Sequence, residues 1–217
     1  MKEASRANNN VQQEEDFMRR PAVKIFMPDA LKSILVDDWE KVTKENKVAP
    51  TPAPISVTQF LNEYEEAEMV HRRPGSADAD ILEEVIAGIK EYFNKALGRI
   101  LLYKFERNQF FEWHRQLEKG HGDYAGKTLC DIYGCEHLLR LFGTVDPSLS
   151  KLFAISDLHT VSMPDLIAHT NMDAQAVSRL REELSKMTQW LAKRIERYLS
   201  VDYEHVGQDY LESAKPT

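Results

Sequence analysis

The chain has 217 residues, 42% of them hydrophobic, and carries 35 acidic against 28 basic side chains for a formal net charge of −7. That apolar share, with three tryptophans, excludes a wholly disordered chain; two cysteines exclude a disulfide-framed scaffold; the acidic balance argues against a general nucleic-acid binder. Nine glycines and nine prolines are few turn formers for this length, and no apolar run reaches membrane-spanning length, so the arithmetic predicts a soluble, intracellular, helix-rich domain.

Residues 1 to about 20 read as a flexible linker or tail, because Asn8-Asn9-Asn10, Gln12-Gln13 and Glu14-Glu15-Asp16 leave little to bury. Pro28 suits a first helical turn, and Asp29 favours the positive end of the helix dipole. Leu31, Ile34, Leu35, Trp39 and Val42 then recur at three and four residues, predicting a helix to about Asn46 with one apolar face. Pro50, Pro52 and Pro54 force an extended connection.

Ser56 with Gln59 gives the capping-box pattern and opens a helix that turns Phe60, Leu61, Tyr64 and Ala67 inward until Pro74-Gly75-Ser76 breaks it. A third helix is predicted from about Asp78 to Arg99 on the stripe Ile81, Leu82, Val85, Ile86, Ile89, Phe93 and Leu97. Gly88 and Gly98 lie inside it and are expected to mark close helix packing. The dense apolar stretch Leu101 to Arg107 leads to a short helix from about Asn108 to Leu117, and Gly120, Gly122 and Gly126 make the next part a loop. A helix restarts from Cys135 to Phe142. The last helix is read from Asp173 to Ser200 on Val177, Leu180, Leu184, Met187, Leu191, Ile195 and Tyr198.

Signatures of catalysis are absent: no G-x-S-x-G, P-loop, H-E-x-x-H or C-x-x-C occurs. Gly120-His121-Gly122-Asp123-Tyr124-Ala125-Gly126 resembles a phosphate loop only loosely, since no strand precedes it. Cys130, Cys135 and His137, with His114 and His121, could be drawn as a zinc site, but the cysteine spacing is too wide, and the simpler reading is buried thiols and surface histidines. Asp37 and Asp38 diverge by about 100 degrees as helical neighbours, so they read as a solvated face, one of them available to cap a neighbouring helix. Neither a metal nor a cofactor is expected. Residues 173 to 200 hold six basic and four acidic side chains, which leaves a nucleic-acid contact by the last helix as the alternative function. Met27, Leu35, Val36, Trp39 and Tyr103 are more apolar surface than one helix needs for docking, the pattern of a groove that receives a partner's hydrophobic anchors.

Several blocks carry a resemblance. Leu35-Val36-Asp37-Asp38-Trp39-Glu40, Val85-Ile86-Ala87-Gly88-Ile89-Lys90-Glu91-Tyr92-Phe93-Asn94 and Leu101-Leu102-Tyr103-Lys104-Phe105-Glu106-Arg107 come first. Tyr133-Gly134, His137-Leu138-Leu139-Arg140-Leu141-Phe142, Asn171-Met172-Asp173 and Asp202-Tyr203-Glu204 follow, in order, across residues 22 to 212. Together they closely resemble the MRG domain, the mortality-factor-related family of chromatin proteins, and fungal members of it in particular.

The resemblance implies a mainly α, compact domain of orthogonally packed helices over residues 21–217, with little or no β structure and no catalytic centre. It implies a nuclear adaptor whose partners are subunits of histone acetyltransferase and deacetylase complexes, bound through short hydrophobic, Phe-x-Leu-Pro-like segments. Chromatin is met indirectly, with no membrane and no small-molecule substrate. Full-length members carry an upstream chromo-barrel domain, to which the polar N-terminal stretch would be the linker. Carried over, the groove is lined by Met27, Leu35, Val36, Trp39, Tyr103 and Phe142, with a far wall just after Phe142 at Val161 and Ser162, and with Asp37 and Asp38 as rim carboxylates selecting basic flanks. The family pattern runs from the Leu-Phe pair directly into the wall, whereas this chain interposes residues 143–160, an apparent insertion that is either a surface loop or retained intron sequence.

Overall fold

The structure is a computed structural model that describes residues 25–120, 122–143, 174–199, 202–207 and 210. The expected tail, Asp173, the wall residues Val161 and Ser162, and all of the apparent insertion except Gly143 lie outside the described residues. Among those described, the architecture is mainly α: α1 (Asp29–Thr43), α2 (Val57–Met69), α3 (Ala77–Ala96), α4 (Arg107–Lys119), α5 (Cys135–Phe142), α6 (Ala174–Ala192) and α7 (Ile195–Tyr198). One two-residue antiparallel pair, β1 (Lys47–Val48) with β2 (Glu204–His205), registers Lys47 with His205 and Val48 with Glu204. No described helix is long and apolar enough to cross a membrane.

Helix ends follow local chemistry. α1 stops at Thr43 rather than Asn46, because Lys44 and Glu45 both donate backbone N–H groups to the Glu40 carbonyl and Asn46 takes a left-handed φ of 53°. Ser56 caps α2 by accepting from the Gln59 N–H at 3.2 Å, while the Gln59 amide turns to Glu63. α3 gives way to a π-helical turn, Leu97–Leu101, and a 3-10 turn, Lys104–Glu106. Gly98 sits in the π turn because the Phe110 ring of α4 lies 2.3 Å from where its Cβ would be, the close packing that the sequence predicted. Gly88 corrects that expectation at the other position: among the described residues nothing lies within 4 Å of where its Cβ would be.

The last helix is also corrected. It breaks after Ala192, where Arg194 donates its side chain to the Trp190 carbonyl while its backbone N–H drops to Leu191. α7 then resumes, and Phe60, Tyr64, Trp190 and Tyr198 meet edge-on and tilted at centroid distances of 5.2–5.9 Å, tying α2 to α6 and α7.

Every residue of α5 is buried. Leu138, Leu139, Leu141 and Phe142 join Leu31 and Leu35 of α1, Leu61 of α2, Phe93 of α3 and Leu184 of α6 in one core. An eight-residue helix at the centre of a core would ordinarily be apolar, yet α5 also buries Glu136, His137 and Arg140.

Candidate functional site

Taking an ion out of water costs several kcal/mol, so a guanidinium at the centre of the core must be matched. Arg140 is matched on every side. Its Nε and Nη2 donate to the two oxygens of Asp38, both at 2.7 Å, and its Nη1 and Nη2 donate to the two oxygens of Glu106 at 2.6 and 3.1 Å. Nη1 also donates to the Leu101 carbonyl at 3.0 Å. Glu106 in turn accepts from the Tyr103 N–H at 2.9 Å and pairs with His137 Nε2 at 3.0 Å. The Tyr203 hydroxyl donates to Asp38 at 2.5 Å, and Lys41 Nζ lies 4.6 Å from the Tyr203 ring centroid. One buried node thus joins α1, the turns after α3, α5 and the C-terminal strand segment.

The electrostatics agree with the geometry. Burial alone would raise the Glu106 carboxyl, but the Arg140 charge and the His137 contact outweigh it and hold it near 2. Burial would lower Arg140, and Asp38 with Glu106 reverse this, keeping the guanidinium charged. Glu136 has no such partner. Burial, with Asp38 nearby, pushes it up to about 7, and its Oε1 has no hydrogen-bond partner among the described residues.

Asp38 therefore corrects the reading of Asp37-Asp38 as a solvated pair on a groove rim. Asp37 is exposed, whereas Asp38 is 2% exposed and belongs to the stripe Leu31, Leu35, Asp38 and Val42. His137 likewise is no surface histidine: it is buried against Glu106, with the Tyr133 ring edge-on at 4.8 Å. Cys130 and Cys135 are free, buried thiols, and Cys130 Sγ donates to the Lys90 carbonyl at 3.4 Å. His114 pairs with Glu118 at 3.4 Å on the surface of α4, and His121 lies outside the described residues. Among the described residues, no three His, Cys, Asp or Glu side chains gather as a metal site.

The proposed groove residues hang on the elements that the node joins. Leu35 and Phe142 are buried where α1 meets α5, and Leu35 Cδ1 lies 3.4 Å from the Cβ position of Gly143. Tyr103 is 5% exposed and its ring lies on the Arg140 guanidinium, 4.4 Å from the centroid. Val36 and Trp39 are half-buried, with Lys44 Nζ 4.7 Å from the Trp39 ring. Met27 is buried in a segment fastened to α6, where the Phe26 N–H donates to Ser185 Oγ and Thr188 Oγ1 donates to the Phe26 carbonyl. The sequence placed Asp38 on a solvated rim and gave Glu106, Arg140 and Tyr203 no role. The one legible signal, for Asp38 and Arg140, was a charge at the centre of an apolar stripe, as in Leu35–Asp38–Val42 and Leu139-Arg140-Leu141.

The basic side chains of the last helices are partly engaged at home. Arg194 stacks on Trp190 at 4.0 Å, and Arg197 donates bidentately to Glu63, whose carboxyl that contact, with Tyr198 and Gln59, holds down to about 2.

The family model described as MRG matches residues 3–157 and 159–205. The chain is 48% identical over 208 residues to the chromatin modification-related protein eaf3 of Aspergillus fumigatus, covering 96% of this chain and 57% of that protein. It is 45% identical over 208 residues to the protein of the same name from Emericella nidulans, with the same coverage. It is 32% identical over 210 residues to mortality factor 4-like protein 1 of Pongo abelii, again covering 96% of this chain and 57% of the relative. The chain thus spans somewhat more than half the length of these relatives.

Proposed function

This chain belongs to the MRG family, and from that premise we propose that it is a non-catalytic chromatin adaptor acting in the nucleus. In this reading its groove takes up short hydrophobic, Phe-x-Leu-Pro-like segments of partner subunits in histone acetyltransferase and deacetylase complexes. The observation that carries the reading is the family match, whose span includes every proposed groove residue from Met27 to Ser162. The relatives' names support its chromatin setting.

The half-buried Val36 and Trp39 form the accessible lip, and Met27, Leu35, Tyr103 and Phe142 the packed floor. A partner's Phe and Leu would each contribute about 1.5–3 kcal/mol when buried there. Trp and Tyr suit this task because each offers a large contact area with one polar tip. Of the two expected rim carboxylates, Asp37 alone remains outside to select a basic flank and speed association. The alternative, a nucleic-acid contact by the last helices, loses support because Arg194 is stacked on Trp190 and the exposed Arg197 is already paired with Glu63.

Titration calorimetry with a Phe-x-Leu-Pro peptide tests the reading. Trp39→Ala and Tyr103→Ala should each weaken binding tenfold or more, about 1.4 kcal/mol. Unchanged affinity in variants that remain folded would refute the groove.

A further inference from the structure

The buried ions sit beside the proposed groove rather than elsewhere in the core, and this placement has a consequence for binding. Resting on the groove reading above, we propose that Asp38, Glu106 and Arg140 are positioning residues of the groove, setting the Tyr103 ring against a partner segment. Three contacts carry this. The Glu106 carboxylate accepts from the Tyr103 backbone N–H, fixing the start of the turn from which the side chain springs. The Arg140 guanidinium carbon lies over the face of the ring, 4.4 Å from its centroid. Asp38 holds that guanidinium by its Nε–Nη2 edge, so the group beside Tyr103 has one orientation.

The chemistry favours this over a purely structural role. A buried ion cluster is no more stabilising than well-packed apolar side chains of the same volume, so stability alone gives weak reason for one. What a bidentate, planar cluster does supply is fixed geometry. Among the described residues no side chain holds the Tyr103 hydroxyl, and the ring is located by its backbone and its face. Arg140 acts through Tyr103 and touches no partner itself. A lysine in its place would keep the charge but lose both the plane and the fork.

A double-mutant cycle tests the inference, read by calorimetry with a Phe-x-Leu-Pro peptide well below the melting temperature of every variant. Arg140→Lys and Glu106→Gln should each weaken binding about fivefold with Tyr103 present, and less than twofold in a Tyr103→Ala background. An equal loss in both backgrounds would mean that the cluster merely supports the fold, which overturns the proposal and leaves the groove standing. If Arg140→Lys does not fold, the isosteric Glu106→Gln and Asp38→Asn carry the same cycle, and full affinity in both overturns the proposal. Wild-type affinity in Trp39→Ala and Tyr103→Ala would instead sink the groove reading, and the positioning role with it.

Discussion

Arg140 of α5 and Asp38 of α1 form a two-pronged ion pair across 102 residues of sequence, with both N···O distances at 2.7 Å and both side chains shut off from water. Geometry of this quality is what allows charges to persist in a core, because each leaves the other fully paired. Removing Arg140 leaves two buried carboxylates without their cation, and removing Asp38 leaves the Arg140 Nε without its acceptor. Asp38→Ala and Arg140→Ala are each expected to cost about 3–5 kcal/mol in urea unfolding, and the double variant less than the sum. Additive costs would show that the pair is not coupled.

Stability should also depend on pH through Glu136. Its folded value of about 7 lies above its ordinary 4.5, so between the two the native state holds a proton that the unfolded chain has released. Stability then falls as pH rises from about 4.5 to 7 and levels off above, by an amount on the order of 3 kcal/mol. Glu106 works in the opposite sense: held near 2, its contribution is present above 4.5 and is lost as pH falls toward 2. Melting curves of wild type and Glu136→Gln across pH 4.5 to 7.5 should converge at the acid end and separate toward neutrality, the variant being the more stable. Parallel curves would count against the assignment.

The two glycines that the sequence treats alike should part on substitution. Gly98→Ala drives a methyl into the Phe110 ring and should cost about 1–3 kcal/mol. Gly88→Ala adds helix propensity in open space and should gain about 0.5–1 kcal/mol. Thermal melts separate the two directly, at about 2–4 °C per kcal/mol for a domain of this size.

Tyr203→Phe removes the hydroxyl donated to Asp38 while leaving the ring under Lys41. The carboxylate keeps Arg140, so the expected loss is about 1.5–3 kcal/mol, the range for a hydrogen bond to a charged group. Scanning calorimetry would register it. A loss as large as that of Asp38→Ala would make Tyr203, rather than Arg140, the main partner of Asp38.

Periodicity made the helices legible, and turn chemistry placed the start of α2 on Ser56. It failed where side chains compete with the backbone. Nothing local marks Arg194 as taking the Trp190 carbonyl and ending α6, or the Glu40 carbonyl as taking two N–H groups where α1 stops. The proposed groove came from resemblance and from an apolar surplus. The ion node beside it did not, because pattern reading assigns charges to the solvent side. Asp38 sat on the apolar stripe all along, but its partners, Glu106 and Arg140, are far away in sequence, and only the folded backbone brings the three together.

The node also bears on how fast the chain can fold. Asp38 pairs with residues 102 and 165 positions downstream, the Phe26 backbone with Thr188 at 162, and Lys47 with His205 in the strand register. Helical domains usually fold quickly because their contacts are local, whereas these contacts close long loops. During synthesis, α1 emerges with a carboxylate on its apolar face and no guanidinium to meet it until α5 has been made. The helix that carries the proposed groove therefore completes its ion node only after α5 and the Tyr203 segment have been made.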